Sequence, residues 1–229
     1  NNWVKEAYAL KFGVAKQYLG QKKLLVVGGS ASMFGLRSPD LERAFDMPTV
    51  NLGVNAGLGT YEVPARVDKW IEPGDLVVMP LEYRLLLWDG VPSYVTLSWA
   101  LEHPETLRRW SAKSLLWGLW SLPLRRVFEG YLSDEAMPRG LGPYGAHRLD
   151  QCGDQTRTAA TFRSDAQRQA LAALPAERFD ELYADTSIGL EEWRYWGHRW
   201  QERGACLVVV PPPFMRSPAY ESPAFSAFF

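Results

Sequence analysis

Four short apolar segments constrain the fold of this chain more than any other feature. They are Lys23–Val27, Pro48–Leu52, Asp75–Leu81 and Ala205–Val210. Apart from the second, each is a continuous apolar run, which is typical of strands buried on both faces of a parallel sheet. Helical patterns and short connections separate the first three, which predicts a β-α-β-α-β order. We therefore predict an α/β fold with a doubly wound parallel sheet.

Helical periodicity fills the stretches between these segments. The residues Val63, Val67, Trp70 and Ile71 follow the spacing i, i+4, i+7, i+8, and Pro73-Gly74 ends that pattern. Further helices are predicted over residues 3–19, 33–45, 164–174, 177–184 and 188–203. The whole chain of 229 residues is read as a single domain, because that length suits one sizeable core.

Residues 84–160 interrupt this rhythm, since no strand-like run is present among them. We predict a large insertion, helical in part, that packs over one end of the sheet. Its segment 115–128, LLWGLWSLPLRRVF, combines Leu and Trp with an Arg pair. The segment could be a helix at a lipid or partner interface, an aromatic surface that stacks on sugar rings, or a lid helix with its apolar face buried. Burial against the sheet is the alternative that we favour.

Charge and cysteine content exclude several classes of protein. The net charge of −1 lacks the basic excess of a dedicated nucleic-acid binder, and no stretch approaches the ~20 apolar residues of a membrane span. The two cysteines, Cys152 and Cys206, have no CxxC spacing, which argues against a ribbon-type zinc site. We expect two unrelated thiols, with Cys206 buried at the start of a strand, although a disulfide in an oxidising compartment stays open. No metal or organic cofactor is predicted.

The first apolar run leads into the sequence LLVVGGSASMFGL, where Ser30 follows two glycines. No Lys follows as in GxxxxGK[ST], which excludes a P-loop, and the glycines do not have the GxGxxG spacing of a dinucleotide site. The second glycine of the GxSxG nucleophile elbow is also missing. Two interpretations remain. Ser30 is a nucleophile at the head of a helix, where amides stabilise developing negative charge, or Ser30 or Ser32 is a helix N-cap.

Three stretches of the chain together resemble a known superfamily. GGS after the first strand, NLGVNAGLGT after the second and DLVVMPLEY at the third resemble the first three sequence blocks of the SGNH (GDSL-like) hydrolases. Those blocks normally read G-D-S, N-x-G-x-x-G and a strand that ends in G-x-N-D. The resemblance covers about residues 22–85 and extends loosely to 205–210. It implies a three-layer, doubly wound (flavodoxin-like) parallel sheet with the approximate strand order 2-1-3-4. It is closest to proteins of polysaccharide O-acetylation, of the alginate and cellulose type.

The resemblance implies roles for particular residues. Ser30 would be the nucleophile and an oxyanion donor, and Gly57 a second donor, with Gly53 and Gly59 as alternatives in register. We therefore expect the Ser30 hydroxyl to be reachable by solvent at the carboxyl edge of the sheet, near the backbone of residues 53–59.

Two departures from the family pattern lie at the ends of the first and third strands. Gly29 stands in place of the usual Asp, and Glu82 in place of the oxyanion Asn. An ionised carboxylate cannot donate to an oxyanion, so either Glu82 has another part, such as binding a sugar hydroxyl, or it is a structural acceptor and the hole has two backbone donors. Glu82, Tyr83 and Asn55 are the candidates for substrate binding.

The fifth family block, D-x-x-H, is missing from the sequence. None of the three histidines, His103, His147 and His198, has an Asp three residues before it. We expect the block to lie beyond Phe229, and the histidines present to be structural or solvated.

The resemblance also implies an activity and a place in the cell. The predicted function is acyl-ester chemistry on an exported carbohydrate, as an O-acetyltransferase or acetylesterase, with a polysaccharide and an acyl donor as ligands. The alternative is an inactive SGNH-like adaptor that binds polysaccharide or a membrane-bound acyltransferase. Because an exported polymer is modified outside the cytoplasm, we expect a periplasmic or other extracytoplasmic domain, tethered by a preceding N-terminal segment.

Overall fold

The computed structural model describes residues 2–120, 145–158, 160–173 and 187–212. Within these ranges one sheet of four parallel strands is present, in the order β2-β1-β3-β4. The strands are β1 (Leu24–Val26), β2 (Thr49–Asn51), β3 (Leu76–Pro80) and β4 (Cys206–Val210). The predicted α/β class, the parallel pairing and the strand order are confirmed.

Helices occupy most of the remaining described chain. They are α1 (Asn2–Gln17), α2 (Ser30–Gly35), α3 (Ser38–Phe45), α4 (Glu62–Val67), α5 (Tyr83–Leu86), α6 (Tyr94–Glu102), α7 (Ala112–Trp120), α8 (Asp165–Ala172) and α9 (Ile188–Glu202). Residues 33–45 form parts of two helices rather than one, because Leu36 and Arg37 are extended and Pro39 opens the second helix. The helix predicted over 177–184 lies outside the described residues.

The two faces of the sheet pack against different helices, because successive residues of a strand point to opposite sides. Leu25 and Val77 contribute to the larger core, together with apolar residues of α1, α4 and α9. Leu24 and Val78 contribute to the smaller core, which includes Leu41 of α3. The helices therefore cover the sheet from both sides.

A buried lysine ties α1 to the edge strand β2. Lys11 is fully buried, and its Nζ donates to the carbonyl oxygen of Asn51 at 2.7 Å and to that of Gly153. The Asn51 amide in turn donates to the carbonyl oxygen of Cys152 at 3.3 Å. Burial lowers the pKa of Lys11 to about 7, although Asp154 and then Asp150 act in the opposite direction. Residues 145–158 thus cover the outer edge of β2.

The opposite edge of the sheet is more open than the sequence predicts. Cys206, the first residue of β4, is exposed, so its predicted burial is wrong. Val208 and Val209 are 40% and 60% exposed. The two cysteines are free thiols. The apolar run of β4 therefore reflects a strand whose side chains are only partly covered within the described chain.

The aromatic helix α7 also differs from the favoured expectation. Its small residues Ser114 and Gly118 are buried and Leu115 is partly buried, whereas its other four Leu and Trp residues are exposed, with Trp120 86% exposed. The prediction that the Leu and Trp side chains bury against the sheet is wrong for this helix, and the remainder of 115–128 lies outside the described residues. Among the described helices, none combines the length and the apolarity that a membrane crossing requires.

The buried Lys11 gives a prediction for the pH dependence of stability. The folded chain holds this lysine with a pKa of about 7, against 10.5 for a free side chain. Between these values the unfolded chain binds the additional proton, so the free energy of unfolding should rise with pH, at up to roughly 1.4 kcal/mol per pH unit. Lys11→Met should remove this rise in urea unfolding measured from pH 7 to pH 10.

The matched control is Lys16→Met, because Lys16 is an exposed lysine of the same helix. This variant should keep the slope of the wild-type protein. If the free energy of unfolding of Lys11→Met rises with pH as steeply as that of the wild type, the pH dependence does not come from Lys11.

Candidate active site

Ser30 lies where α2 begins, directly after the loop that leaves β1. The N-cap residue of α2 is Gly29, and neither Ser30 nor Ser32 caps this helix. The Ser32 hydroxyl is buried and donates to the carbonyl oxygen of Pro80 at 3.3 Å. The Ser30 side chain is partly exposed, and its hydroxyl has no hydrogen-bond partner among the described residues. The N-cap alternative is therefore wrong, and Ser30 keeps a free hydroxyl at the carboxyl edge of the sheet.

Glu82 holds the backbone on both sides of Ser30. Its Oε2 accepts from the Gly29 amide at 3.0 Å, and its Oε1 accepts from the Ala31 amide at 2.7 Å. A carboxylate at the first turn of a helix satisfies amides that have no partner within the helix and interacts favourably with the helix dipole. Glu82, in the turn between β3 and α5, thus supplies the cap that Gly29 cannot provide. This contact corresponds to the structural-acceptor alternative of the sequence analysis.

The loop after β2 packs directly on the serine turn. A methyl group added at Gly29 would lie 2.5 Å from Ala56 Cβ and 2.6 Å from the Ala56 nitrogen. One added at Gly53 would lie 2.6 Å from Ser32 Cβ. Glycine at both positions therefore permits an approach of the two backbones that any side chain would prevent. The three stretches singled out in the sequence meet at one edge of the sheet.

The amides of this loop differ in whether they are free to bind a substrate oxygen. The Gly53 amide donates to Asn51 Oδ1 at 3.0 Å, that of Gly57 to Asn55 Oδ1 at 2.7 Å, and that of Gly59 to the Ala56 carbonyl at 3.0 Å. All three glycines considered as oxyanion donors thus already have acceptors, and the role of Gly57 stays a prediction.

Ala56 is the loop residue that the sequence analysis missed. Its amide and that of Ser30 have no acceptor within the described ranges. The sequence search looked for a glycine at this place, whereas a backbone donor needs only a free N–H group. The GVNAGLG stretch contained only an indirect signal. Asn55 is a residue type that often accepts from the amide two residues later, here that of Gly57, and this leaves the Ala56 amide between them without that acceptor.

The other substrate-binding candidates have structural contacts. Asn55 closes the turn Ala56–Leu58 through its bond to the Gly57 amide. Tyr83, the first residue of α5, is buried. The Gly57 carbonyl accepts from Thr96 Oγ1 of α6 at 2.7 Å, so the predicted insertion supports this loop.

No hydrogen bond joins any of the three histidines to Ser30 in the described chain. His103 stacks on Trp99 with ring centroids 4.4 Å apart, and its Nδ1 lies 3.3 Å from Glu105 Oε1. Burial, followed by the charge of Arg66, lowers the pKa of His103. Within the same ranges, no group of three or more His, Cys, Asp or Glu side chains is placed to hold a metal ion.

Comparison of the sequence with protein-family models, with curated proteins and with solved structures finds no match. A functional conclusion therefore depends on the residues themselves. Their arrangement offers a serine hydroxyl, two backbone amides and a fixed carboxylate at the carboxyl edge of a parallel sheet, where α/β proteins commonly bind ligands.

Two glycine substitutions test the close packing around Ser30. Gly29→Ala should lower the free energy of unfolding by about 1–3 kcal/mol, because the new methyl group overlaps the nitrogen and Cβ of Ala56, which cannot move independently of the backbone, and Glu82 Oε1. Gly13→Ala is the matched control, since nothing lies within 4 Å of a methyl group there and Gly13 is inside α1.

The control should raise the free energy of unfolding by roughly 0.5–1 kcal/mol, as expected for Gly to Ala in a helix. Chemical denaturation of both variants gives the comparison. Equal stability of Gly29→Ala and the wild type would show that the serine turn and the loop are farther apart than described.

Proposed function

We propose that this protein carries out acyl-ester chemistry with Ser30 as its nucleophile. The observation that carries the proposal is the Ser30 hydroxyl, which is partly exposed and has no partner among the described residues, although the neighbouring serine is buried and bonded. A serine with this freedom, next to unengaged amides, fits the requirements of acyl transfer. This hydroxyl does not cap α2, because the N-cap residue of that helix is Gly29.

The chemistry has two stages. The Ser30 oxygen attacks the acyl carbonyl carbon and gives its proton to a general base. The carbonyl oxygen becomes negative and is stabilised by the amides of Ser30 and Ala56. Collapse of this intermediate breaks the ester bond, the base returns its proton to the leaving oxygen so that the donor departs as an alcohol, and an acyl ester remains on Ser30. A sugar hydroxyl then accepts the acyl group in a transferase, or water does in an esterase.

The family and the substrate class are part of the same proposal. We propose a member of the SGNH superfamily that modifies an exported carbohydrate. The proposal of the family rests on the resemblance of the three sequence stretches, and it is supported by the strand order 2-1-3-4 and by the meeting of those three stretches at one sheet edge. The carbohydrate and its extracytoplasmic setting follow from the resemblance to polysaccharide O-acetylation proteins.

The second candidate is an adaptor that has the fold without the activity. It is favoured by the histidines, none of which bonds to Ser30 in the described chain. Glu82 also favours it, because a carboxylate fixed beside the nucleophile opposes the build-up of negative charge. Such a protein would bind polysaccharide or a membrane-bound acyltransferase and would turn over no ester.

Ser30→Ala separates the two candidates. Turnover of a simple acetyl ester should fall by about three orders of magnitude or more, as it does when a triad nucleophile is removed. A fluorophosphonate probe should label the wild-type protein on the peptide that contains Ser30, and mass spectrometry should find no label there in the variant. The free energy of unfolding should change by less than ~1 kcal/mol, since the hydroxyl makes no bond in the described chain.

Ser98→Ala is the matched control, because Ser98 is also partly exposed and lies on α6, outside the serine turn. It should keep wild-type turnover and labelling. A wild-type protein that neither hydrolyses the ester nor takes up the probe, but does bind polysaccharide, would replace the enzyme with the adaptor.

The proposed setting has its own test. Cell fractionation of the protein expressed from its complete gene should recover it outside the cytoplasm, in the soluble or membrane-associated part of the envelope. Recovery in the cytosol would contradict action on an exported polymer and would leave the esterase chemistry to be judged separately.

A further inference from the structure

The side chain of Asn51 connects the segments that frame Ser30. Asn51 ends β2 and is fully buried. Its Nδ2 donates to the Ser32 carbonyl oxygen at 3.0 Å and to Asp154 Oδ1 at 3.0 Å, while its Oδ1 accepts from the Gly53 amide at 3.0 Å. An amide side chain has two N–H protons and one oxygen, so each of its polar atoms is engaged.

These partners belong to the two halves of the candidate site. Ser32 lies two residues after Ser30 on α2, and Gly53 lies three residues before Ala56. One rigid amide group therefore spans from the helix that carries the hydroxyl to the loop that carries the free amide. No other side chain among the described residues bonds to the backbone of both.

Asp154 fixes the orientation of this amide. Its Oδ1 accepts from Asn51, and its two oxygens also accept from the hydroxyl and the amide of Ser38, at 2.9 and 2.5 Å. Burial raises the pKa of Asp154, while the bonds from Ser38 and Asn51 act against that rise. With an acceptor held at this point, the Asn51 side chain cannot exchange its oxygen and nitrogen without losing all three bonds.

We propose that Asn51 is a positioning residue, which sets the distance between the Ser30 hydroxyl and the Ala56 amide through Ser32 and Gly53. The inference rests on the proposed function, since the distance matters only if both groups act on one acyl carbonyl. Reacting groups must be held close to their productive geometry, and a displacement of about 1 Å can cost roughly a hundredfold in rate. The competing explanation is that the network only attaches residues 145–158 to the sheet.

A double substitution separates these explanations. Asn51→Asp alone places a second carboxylate against Asp154 and should weaken folding. In Asn51→Asp/Asp154→Asn the donor and the acceptor exchange places, so the contact between the two positions is restored. The Gly53 amide keeps its acceptor, because the new carboxylate has an oxygen at the same place. The bond to the Ser32 carbonyl is not restored, because a carboxylate has no N–H to donate.

Three measurements follow on the wild type and the double variant. The thermal midpoint of the double variant should recover most of what Asn51→Asp loses. Labelling of Ser30 by the fluorophosphonate should stay ten- to a hundredfold slower than in the wild type, with the loss in kcat rather than KM for ester turnover. Amide hydrogen exchange of residues 30–35, followed by mass spectrometry, should be faster than in the wild type.

Ser38→Ala is the control, since it removes one bond of Asp154 but leaves all three bonds of Asn51 in place, and its labelling should stay within a few-fold of wild type. The proposal is overturned if the double variant labels at the wild-type rate, or if exchange of residues 30–35 does not change. A wild-type protein that takes up no label refutes the proposed function instead, and the exchange result then still decides whether Asn51 holds α2.

Discussion

The parallel pairing of β1 with its two neighbours determines where every group of the candidate site lies. Val26 is paired with Asn51 on one side and with Val78 on the other. Ser30 and Glu82 each come four residues after a member of the β1–β3 pair, so the chain delivers them to the same edge at the same height. A shift of one residue in this register would reverse the faces of β1 and would separate the carboxylate from the amides that it holds.

Buried ionisable side chains with specific partners lie at both ends of this sheet. At the amino end, Lys23 is fully buried, with its Nζ 3.0 Å from Asp75 Oδ2 and 2.6 Å from Glu72 Oε2. At the carboxyl end, Lys11 and Asp154 are buried and both bond to Asn51 of β2. Such groups contribute little net free energy, but removal of one partner leaves an uncompensated polar group, which makes the arrangement specific. The strand ends, and the loops that leave them, are thus held more tightly than apolar packing alone would hold them.

The sequence was sufficient to predict the sheet, because short apolar runs and helical periodicity are local signals. Strand order was predicted with the family resemblance, and Ser30 was singled out by its place after a strand together with that resemblance. The division of residues 33–45 into two helices was missed, since two extended residues before Pro39 leave little trace in the periodicity. Cys206 was placed wrongly because an apolar run predicts a strand without showing whether a neighbour covers it.

The detailed contacts of the site required coordinates. Glu82 and the amides of Gly29 and Ala31 are separated by about fifty residues of sequence, and which amide a carboxylate binds depends on the approach of two loops. The same is true of Asn51 and Asp154, which are 103 positions apart. Ala56 was missed because an unengaged N–H group has no signature in the residue type that carries it.

The two edges of the sheet have unequal exposure to other extended chains. Along β2 the segment 145–158 lies over the outer side, with the Asn51 amide bonded to the Cys152 carbonyl. Along β4 the described chain pairs only the side that faces β3, and Val209 remains mostly exposed. An edge strand with apolar side chains is where a sheet most readily accepts another strand. Within the described ranges β4 is therefore the edge at which another extended chain could pair, whereas residues 145–158 already occupy the edge at β2.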